Sequence, residues 1–338
     1  MRYEFTSDNT AGVCPEAWEA LREANAGFVP SYGTDPVTQR AADLFREFFE
    51  TDCDVFFVFN GTAANSLALA SLCQPFHSVI CHEAAHIETD ECGAPEFFSN
   101  GTKLLLAKGE HGRLAPAEVE ALVTKRTDIH YPRPRVLSLS LPTELGTVYT
   151  PERIGVLCQT AARHGLKVHV DGARFFNAVA ALGAAPKALT WQAGVDVLCC
   201  GGTKQGIGFG EAVVFFNKDL AQEFGYRCKQ AGQLASKMRY LAAPWVRMLE
   251  GDAWRKGAEQ ANRCARLLES LVRGVPGVEV LYPVEANAVF LKLPPEAHQR
   301  LAAKGWSYYT FMGDGARFMC SWATREEAVR ELAADLAG

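Results

Sequence analysis

The chain has 338 residues, of which 48% are hydrophobic and 22% are charged, and its formal net charge is −5. This length and composition are typical of a globular protein with a large core, organised as one large domain or two of ordinary size. The acidic balance, without a long basic run, argues against nucleic acid and membrane surfaces as partners. No apolar stretch approaches the roughly 18 residues of a membrane span.

From about residue 54 the chain alternates short apolar runs with helical patterns. The predicted strands are 55–59, 78–81, 103–107, 135–141, 167–170, 195–200 and 211–216. The predicted helices among them are 62–73, 116–125 and 151–164. This alternation predicts an α/β fold in which a mostly parallel sheet has helices on both faces. In such folds ligands bind at the carboxyl ends of the strands.

The pattern changes after Phe216, where helices are followed by strands. Helices are predicted at 219–229, 233–249 and 252–271, strands at 278–282, 288–292 and 317–321, and a last helix from about Arg325. These elements predict a smaller C-terminal α+β domain. We therefore divide the chain into an N-terminal segment (1–14), a large domain (15–243) and a small domain (244–338).

The cysteines and the N-terminus indicate a cytoplasmic protein. The 11 cysteines include no C-x-x-C pair, and several lie in apolar segments, as Cys73 and Cys200 do. We interpret them as small buried side chains in a reducing compartment, not as a disulfide framework. Residues 1–10 contain Glu4 and Asp8 and lack the apolar stretch of a signal peptide.

The first motif is a turn between a predicted strand and a predicted helix, at Asn60-Gly61-Thr62. Gly61 allows the backbone to approach an anion closely, and Thr62 is suited to cap the helix. The N–H groups and the dipole at such a helix start attract phosphate. By itself, the pattern is more typical of an ordinary capped turn.

The second motif places an acid where an apolar strand ends. Asp171 follows the strand 167–170, and Arg174 lies three residues further on. A buried aspartate needs a cationic partner. That partner is either Arg174 or the protonated nitrogen of a pyridine ring, which then acts as an electron sink.

The third motif is a lysine among glycines. Lys204 follows the strand 195–200, with Gly201 and Gly202 before it and Gly206 after it. Glycines on both sides suit a lysine that must reach a flat cofactor within a crowded loop, and the order does not fit a P-loop. A phosphate-binding turn, an acid and this lysine together predict pyridoxal 5′-phosphate (PLP), held by Lys204 as a Schiff base.

With these motifs the chain resembles the low-specificity L-threonine aldolases, PLP enzymes of the aspartate aminotransferase fold (fold type I). The resemblance extends over nearly the whole chain and is carried by Ser7-Asp8-Asn9-Thr10, Tyr32-Gly33-Thr34-Asp35-Pro36, Asn60-Gly61-Thr62, Asp171-Gly172-Ala173-Arg174 and Gly202-Thr203-Lys204. It implies a seven-stranded, mostly parallel sheet in the large domain. It also implies cleavage of L-threonine, L-allo-threonine and related β-hydroxy-α-amino acids to glycine and an aldehyde.

One segment departs from many members of that family. Where they have a Glu-Asn-Thr-His form, this chain has Pro142-Thr143-Glu144-Leu145-Gly146-Thr147-Val148-Tyr149. It is similar to the branch that acts on aromatic β-hydroxy amino acids such as phenylserine. The resemblance therefore extends the expected substrates to phenylserine.

The resemblance implies roles for residues near the cofactor and the substrate. Ser7, Arg174 and Arg317 would bind the substrate carboxylate, and Arg174 would also contact the cofactor. His86 would stack on the cofactor ring near the β-hydroxyl of the substrate. Gly61 and Thr62 would bind the phosphate.

The resemblance also implies residues that act between subunits. His130 would reach the site of a neighbouring subunit, and Lys229 would contact the phosphate across the dimer interface. Either Lys237 or Arg239 would be a second cation there. Sites shared in this way imply a homo-oligomer, at least a dimer and usually a dimer of dimers.

Two alternatives remain open. Another fold-type-I PLP enzyme, such as a β-eliminating lyase, a transaminase or a racemase, would use the same cofactor residues. A more remote alternative is a zinc hydrolase, because His82-Glu83-Ala84-Ala85-His86 matches the H-E-x-x-H motif. The metzincin extension of that motif is missing, since Thr89 and Cys92 occupy its positions. We expect no metal.

Overall fold

A computed structural model describes residues 1–311 and 315–338. In chain order, the elements of the first part are α1 (Pro15–Ala24), α2 (Pro36–Phe49), β1 (Asp54–Val58), α3 (Gly61–Leu72), β2 (His77–His82), α4 (His86–Thr89), α5 (Ala94–Phe98), β3 (Lys103–Ala107), α6 (Pro116–Val123), β4 (Arg133–Ser140), α7 (Pro151–Arg163), β5 (Lys167–Gly172), α8 (Phe175–Leu182), β6 (Val197–Cys200) and β7 (Glu211–Phe215). The second part contains α9 (Phe224–Gln230), α10 (Arg239–Glu250), α11 (Ala253–Val272), β8 (Glu279–Val280), β9 (Ala288–Lys292), α12 (Pro295–Ala303), β10 (Tyr309–Phe311), β11 (Gly315–Met319) and α13 (Glu326–Ala337).

The large sheet has the strand order β1-β7-β6-β5-β4-β2-β3. Strands β2 to β6 pair in parallel, whereas β7 runs antiparallel to β1 and β6. The register places Asp171 on β5 opposite Ser140 on β4 and Cys199 on β6. Asp171 therefore lies at the carboxyl ends of the central parallel strands, the edge at which ligands are expected to bind.

The sheet is covered on both faces, which explains why its strands are continuous apolar runs. One hydrophobic cluster includes the aromatic residues Phe45, Phe49, Phe176 and Trp245, and the other includes Leu67 of α3. Helix α3 is apolar around most of its circumference and is almost entirely buried. This arrangement confirms the predicted α/β fold with a seven-stranded, mostly parallel sheet.

The second sheet is antiparallel, with the order β10-β11-β9-β8. Its core is shared with α11, α12 and α13, and it includes Phe5 from the N-terminal segment. The expected boundary between residues 243 and 244 falls inside α10, which also contributes to the core of the large domain. The division into domains stays a prediction.

Several helices differ from the sequence predictions. The helix expected at 233–249 begins at Arg239, since residues 233–238 form bends and turns before α10. The helix expected at 219–229 is shortened to α9. Helices α1, α2, α8 and α12 lie where no element was predicted. Among the described residues, no helix combines the length and the apolar character needed to cross a membrane.

Candidate active site

Two adjoining cavities lie at the carboxyl ends of the large sheet. The inner cavity has a volume of about 220 Å³ and is lined by Asn9, Asn60, Gly61, Thr62, Ala64, Asn65, His86, Asp171, Ala173, Cys199, Gly201, Thr203, Lys204 and Glu211. The outer cavity has a volume of about 460 Å³ and is lined by Ser7, Asn9, His86, Thr89, Asp90, Glu144, Arg174, Lys204, Tyr309, Thr310 and Arg317. They share Asn9, His86 and Lys204, so the lysine is accessible from both.

The turn at one end of the inner cavity begins α3. Asn60 is the cap of this helix, since its Oδ1 accepts a hydrogen bond from the N–H of Ala63 at 2.9 Å. The prediction that Thr62 caps the helix was therefore wrong, because the helix already begins at Gly61. The N–H groups of a first helical turn have no partner within the helix, which leaves this end suited to an anion.

Asp171 also lines the inner cavity and is held by uncharged donors. Its Oδ1 accepts from the N–H of Ala173 and its Oδ2 from Nδ2 of Asn65, both at 3.0 Å. Arg174 is not its hydrogen-bonding partner, because that guanidinium pairs with Asp8. Of the two partners considered from the sequence, Arg174 is thereby excluded, and the pyridine nitrogen stays a prediction.

The loop that carries Lys204 is packed too tightly for side chains at its glycines. A Cβ on Gly201 would lie 2.1 Å from the carbonyl oxygen of Ala173, and one on Gly202 would lie 2.5 Å from the ring of Trp245. Gly206 has a φ of +98°, which favours glycine. The loop around Lys204 is therefore as crowded as the sequence predicted, and glycine is required at these positions.

A buried carboxyl, Glu211, anchors the same loop from β7. Its Oε2 accepts from the N–H of Gly202 and its Oε1 accepts from the hydroxyl of Thr203, both at 2.6 Å. Burial raises the pKa of Glu211 above its ordinary value. These two hydrogen bonds hold the backbone immediately before Lys204.

On the substrate side, Arg174 is oriented by Asp8 of the N-terminal segment. Nε and Nη2 of Arg174 donate to the two carboxylate oxygens of Asp8 at 2.6 and 3.0 Å. Asn287, before β9, donates to the same carboxylate at 3.2 Å. Burial by itself would raise the pKa of Asp8, but the charges of Arg174 and Lys204 outweigh it and the pKa is lowered. Asp8 is therefore an ionised anchor.

Arg317 reaches the outer cavity from β11 of the small domain, and its guanidinium lies 5.2 Å from the ring centroid of Tyr309. Burial, together with the positive charge of Arg174, lowers the pKa of Arg317 from its ordinary value. Ser7 lines the same cavity and caps a short turn, since its Oγ accepts from the N–H of Asn9 at 3.2 Å. The three residues expected to bind a carboxylate are thus brought together around one space.

His86 begins α4 and lines both cavities. Its Nε2 lies 3.8 Å from Oε1 of the buried Glu91, and its Nδ1 lies 3.7 Å from Oδ2 of Asp90. His82, by contrast, ends β2. Its Nδ1 accepts from the N–H of Ala84 at 3.0 Å, and its Nε2 lies 3.2 Å from the carbonyl oxygen of Gly109. The two histidines do not share a helix, so the zinc-hydrolase alternative loses its structural basis.

Four residues predicted from the resemblance line neither cavity. His130 and Lys237 are exposed, and Lys229 lies over the ring of Tyr32 at 4.8 Å. Arg239 donates to backbone carbonyls of the α1–α2 connection. Their expected roles between subunits stay predictions.

The structure also adds residues that were not predicted. Asn9, Asn65, Glu144 and Glu211 line a cavity, and Glu91 contacts His86. One of them left a signal in the sequence, because Asn65 is an amide within a mostly apolar helix. Asn9 and Glu144 lie within the segments 7–10 and 142–149 that were compared with the family above.

Comparisons with known proteins agree with this geometry. The Beta-eliminating lyase family model matches residues 4–294. A low specificity L-threonine aldolase of Pseudomonas aeruginosa is 63% identical over 334 residues, which cover 98% of this chain and 96% of that protein. The threonine aldolase structure of Leishmania major aligns with a TM-score of 0.92 and 26% identity, covering 99% of this chain and 98% of that one.

A more distant structure extends the likeness of fold. Aspartate aminotransferase from Thermus thermophilus has a TM-score of 0.71 at 17% identity, covering 97% of this chain and 88% of that one. This confirms the expected fold type I. Because of the match over most of its length and the high identity, the chain belongs to the beta-eliminating lyase family and, within it, to the low-specificity L-threonine aldolases.

Proposed function

We propose that this protein binds PLP on Lys204 and cleaves the Cα–Cβ bond of L-threonine, L-allo-threonine and related β-hydroxy-α-amino acids, giving glycine and an aldehyde. The observation that carries the proposal is the shared position of Lys204. It lies between an inner cavity that contains Asp171 and an outer cavity that contains Arg174 and Arg317.

The residues of the inner cavity fit PLP by their chemistry. The α3 turn at Gly61 and Thr62 offers backbone N–H groups to a phosphate, and Lys204 offers an amine to an aldehyde. Asp171 offers a carboxylate to a ring nitrogen. When bound, PLP withdraws electrons from the Cα of an amino acid, and more strongly when its ring nitrogen is protonated.

In the outer cavity, Asp8 determines how Arg174 meets a substrate. Since Asp8 accepts from the Nε–H and from one N–H of Nη2, both N–H groups of Nη1 and the second N–H of Nη2 are left for a substrate carboxylate. Arg317 and Ser7 complete this carboxylate site from the small domain and the N-terminal segment. A substrate so held would place its Cα beside Lys204.

We assign to His86 the acceptance of the proton of the β-hydroxyl, because it lines both cavities, as Lys204 does. A positioned base contributes a factor of about 10²–10⁴ to a rate. Transfer of this proton to the imidazole lets the hydroxyl carbon leave as an aldehyde. Return of a proton to Cα then gives glycine.

We further propose that the protein is a cytoplasmic homo-oligomer, a dimer of dimers in which His130 and Lys229 contribute to the site of a neighbouring subunit. An exposed surface that contains Phe28 and Tyr32 supports the oligomer, and Lys229 lies over the ring of Tyr32. Large apolar side chains exposed in this way are typical of protein interfaces. The cysteines are unpaired, and all but Cys92 are buried, as suits a reducing compartment. Analytical ultracentrifugation tests the oligomer, and a stable monomer would contradict it.

The purified protein should show a visible absorption band that borohydride removes. L-threonine, L-allo-threonine and phenylserine should each yield glycine and the matching aldehyde. Transamination would instead give a keto acid, and β-elimination would give ammonia. A colourless protein that forms no glycine would refute the proposal, whereas strict preference for threonine over phenylserine would remove the aromatic substrates alone.

A further inference from the structure

Glu91 is a buried carboxyl beside the site that the steps described above do not use. It follows α4 after one residue, and its side chain is 0% exposed. It contributes to the wall of neither cavity and lies behind two residues that do, His86 and Asn65.

One oxygen of Glu91 contacts both of these residues. Its Oε1 accepts from Nδ2 of Asn65 at 3.0 Å and lies 3.8 Å from Nε2 of His86. The same Nδ2 of Asn65 donates to Oδ2 of Asp171 at 3.0 Å. A single amide group therefore links two buried carboxyls. Oε2 of Glu91 has no hydrogen-bond partner within 1–311 and 315–338, an arrangement that costs stability.

The charges around Glu91 come from several elements. Asp171 at the end of β5 and Glu144 after β4 are negative, Lys204 after β6 is positive, and His86 begins α4. Burial, with a further contribution from Asp171, raises the pKa of Glu91 to about 8. At neutral pH Glu91 is thus a neutral acid that supplies a hydrogen-bond acceptor to Asn65.

We propose that Glu91 is a positioning residue: its Oε1 holds the amide of Asn65, and through it the carboxylate of Asp171, and the same oxygen packs against the imidazole of His86. This proposal rests on the proposed function in that His86 and Asp171 are taken to act on bound PLP and substrate. Its consequence is that one side chain outside both cavities aligns groups at two different positions around the cofactor.

Glu91→Ala is expected to raise the dissociation constant of PLP from the apoenzyme roughly 10-fold and to lower kcat roughly 10-fold at nearly unchanged KM. The reason is that the buried amide of Asn65 would lose one of its two acceptors. Glu91→Gln retains the oxygen and resembles the neutral acid, so both quantities should stay within about 3-fold of wild type. The dissociation constant is measured by titrating apoenzyme with PLP and following the absorption band. If Glu91→Ala does not fold, Glu91→Leu takes its place, since it fills the space without an acceptor.

Glu96→Ala is the matched control, because Glu96 lies five residues further along and also has a buried oxygen without a partner among the described residues. It contacts neither cavity and should match wild type in both quantities. Wild-type values for Glu91→Ala, or equal losses for Glu91→Gln and Glu91→Ala, would overturn the proposal.

Two further measurements separate positioning from general destabilisation. In a His86→Asn background, Glu91→Ala should lower kcat by less than it does alone, because coupled residues are not additive. The absorption band of the wild-type protein and that of Glu91→Gln should change with pH in the same way below about pH 7. Above about pH 8 the two should differ, because the carboxyl of Glu91 ionises there and the amide of the glutamine does not. Additive losses together with parallel pH responses would refute positioning. A wild-type protein without the band would instead refute the proposed function.

Discussion

The inner and outer cavities are assembled from the chain in different ways. In the inner cavity Gly61 and Lys204 each follow a strand within a few residues and Asp171 lies near the end of another strand of the same sheet, so the sheet itself brings them together. In the outer cavity Ser7 comes from the N-terminal segment and Arg317 from the small domain. The predicted cofactor end of the site therefore depends on one sheet, whereas the substrate end depends on how separate parts of the chain pack.

The two cavities also hold their acids differently. Asp171 accepts from an amide side chain and a backbone N–H, whereas Asp8 is paired with the guanidinium of Arg174. We therefore expect changes in the inner cavity to reduce kcat and cofactor binding. Changes in the outer cavity should mainly raise KM or weaken the packing between segments.

Lys204→Ala should have the largest effect of any change in the inner cavity. The variant should fold, since Lys204 is partly exposed and the loop is held by Glu211 through its backbone. It should lose the covalently bound cofactor and multiple turnovers. Lys218→Ala, in which a surface lysine outside both cavities is lost, is the control. Normal turnover by Lys204→Ala would exclude Lys204 as the cofactor lysine.

Asp171→Asn should reduce kcat by roughly 100-fold or more, because an amide does not stabilise a protonated ring nitrogen. Its NH2 group would also face one of two donors, the N–H of Ala173 or the amide of Asn65. Asp196→Asn is a close control, since Asp196 likewise accepts from a backbone N–H and an asparagine amide but lies before β6, at the far end of the sheet. Steady-state kinetics and PLP titration measure both variants, and equal losses would contradict a special role for Asp171.

Asp8→Asn tests the anchor of the outer cavity. Removing the carboxylate leaves Arg174 buried without its charge partner and should lower the free energy of unfolding by about 2–4 kcal/mol. The pKa of Asp8 is lowered in the folded protein, so its contribution is present at neutral pH and is lost as pH falls below its ordinary value of 3.8. Urea unfolding at pH 7 and pH 3 should show a smaller difference at the lower pH. Glu19→Gln, in an exposed pair with Arg22, should change nothing at either pH.

Arg317→Lys should have the smallest effect and should act on KM, which is expected to rise roughly 10-fold for amino-acid substrates. A lysine cannot form the two parallel hydrogen bonds that a guanidinium forms with a carboxylate. The PLP dissociation constant should not change. Arg2→Lys is the control, since Arg2 also lies over an aromatic ring, that of Trp306, outside both cavities. A loss in kcat at constant KM would place Arg317 on the cofactor side.

Much of the inner cavity could be predicted because each of its signals is local. The crowding at Gly201 and Gly202 and the acid at the end of β5 agree with the expectations from sequence. The cap of α3 was assigned wrongly for an equally local reason. Asn60 and Thr62 are both good capping residues, and the choice depends on the residue at which the helix begins.

The H-E-x-x-H motif shows the opposite case. Its spacing is right for two ligands on a helix, but His82 belongs to β2 and His86 begins α4. The turn between them separates the side chains, and His82 is engaged with the backbone of Ala84 and Gly109. Spacing alone could not reveal this, because the same five residues are compatible with a helix or with a strand followed by a turn.

From the sequence alone we could predict the α/β fold, the seven strands between residues 54 and 216, and three strand ends with chemistry suited to PLP. The tertiary structure decided which charges meet. Asp8 pairs with Arg174, which lies 166 positions further along the chain. Asn65 contacts two carboxyls, that of Glu91 at a separation of 26 positions and that of Asp171 at a separation of 106. Hydrophobic periodicity and turn residues reflect interactions between near neighbours in the chain, and for this reason helices, strands and turns can be predicted from the sequence. Buried charges and amides are satisfied through space, by whichever groups the packed elements bring within a few ångströms.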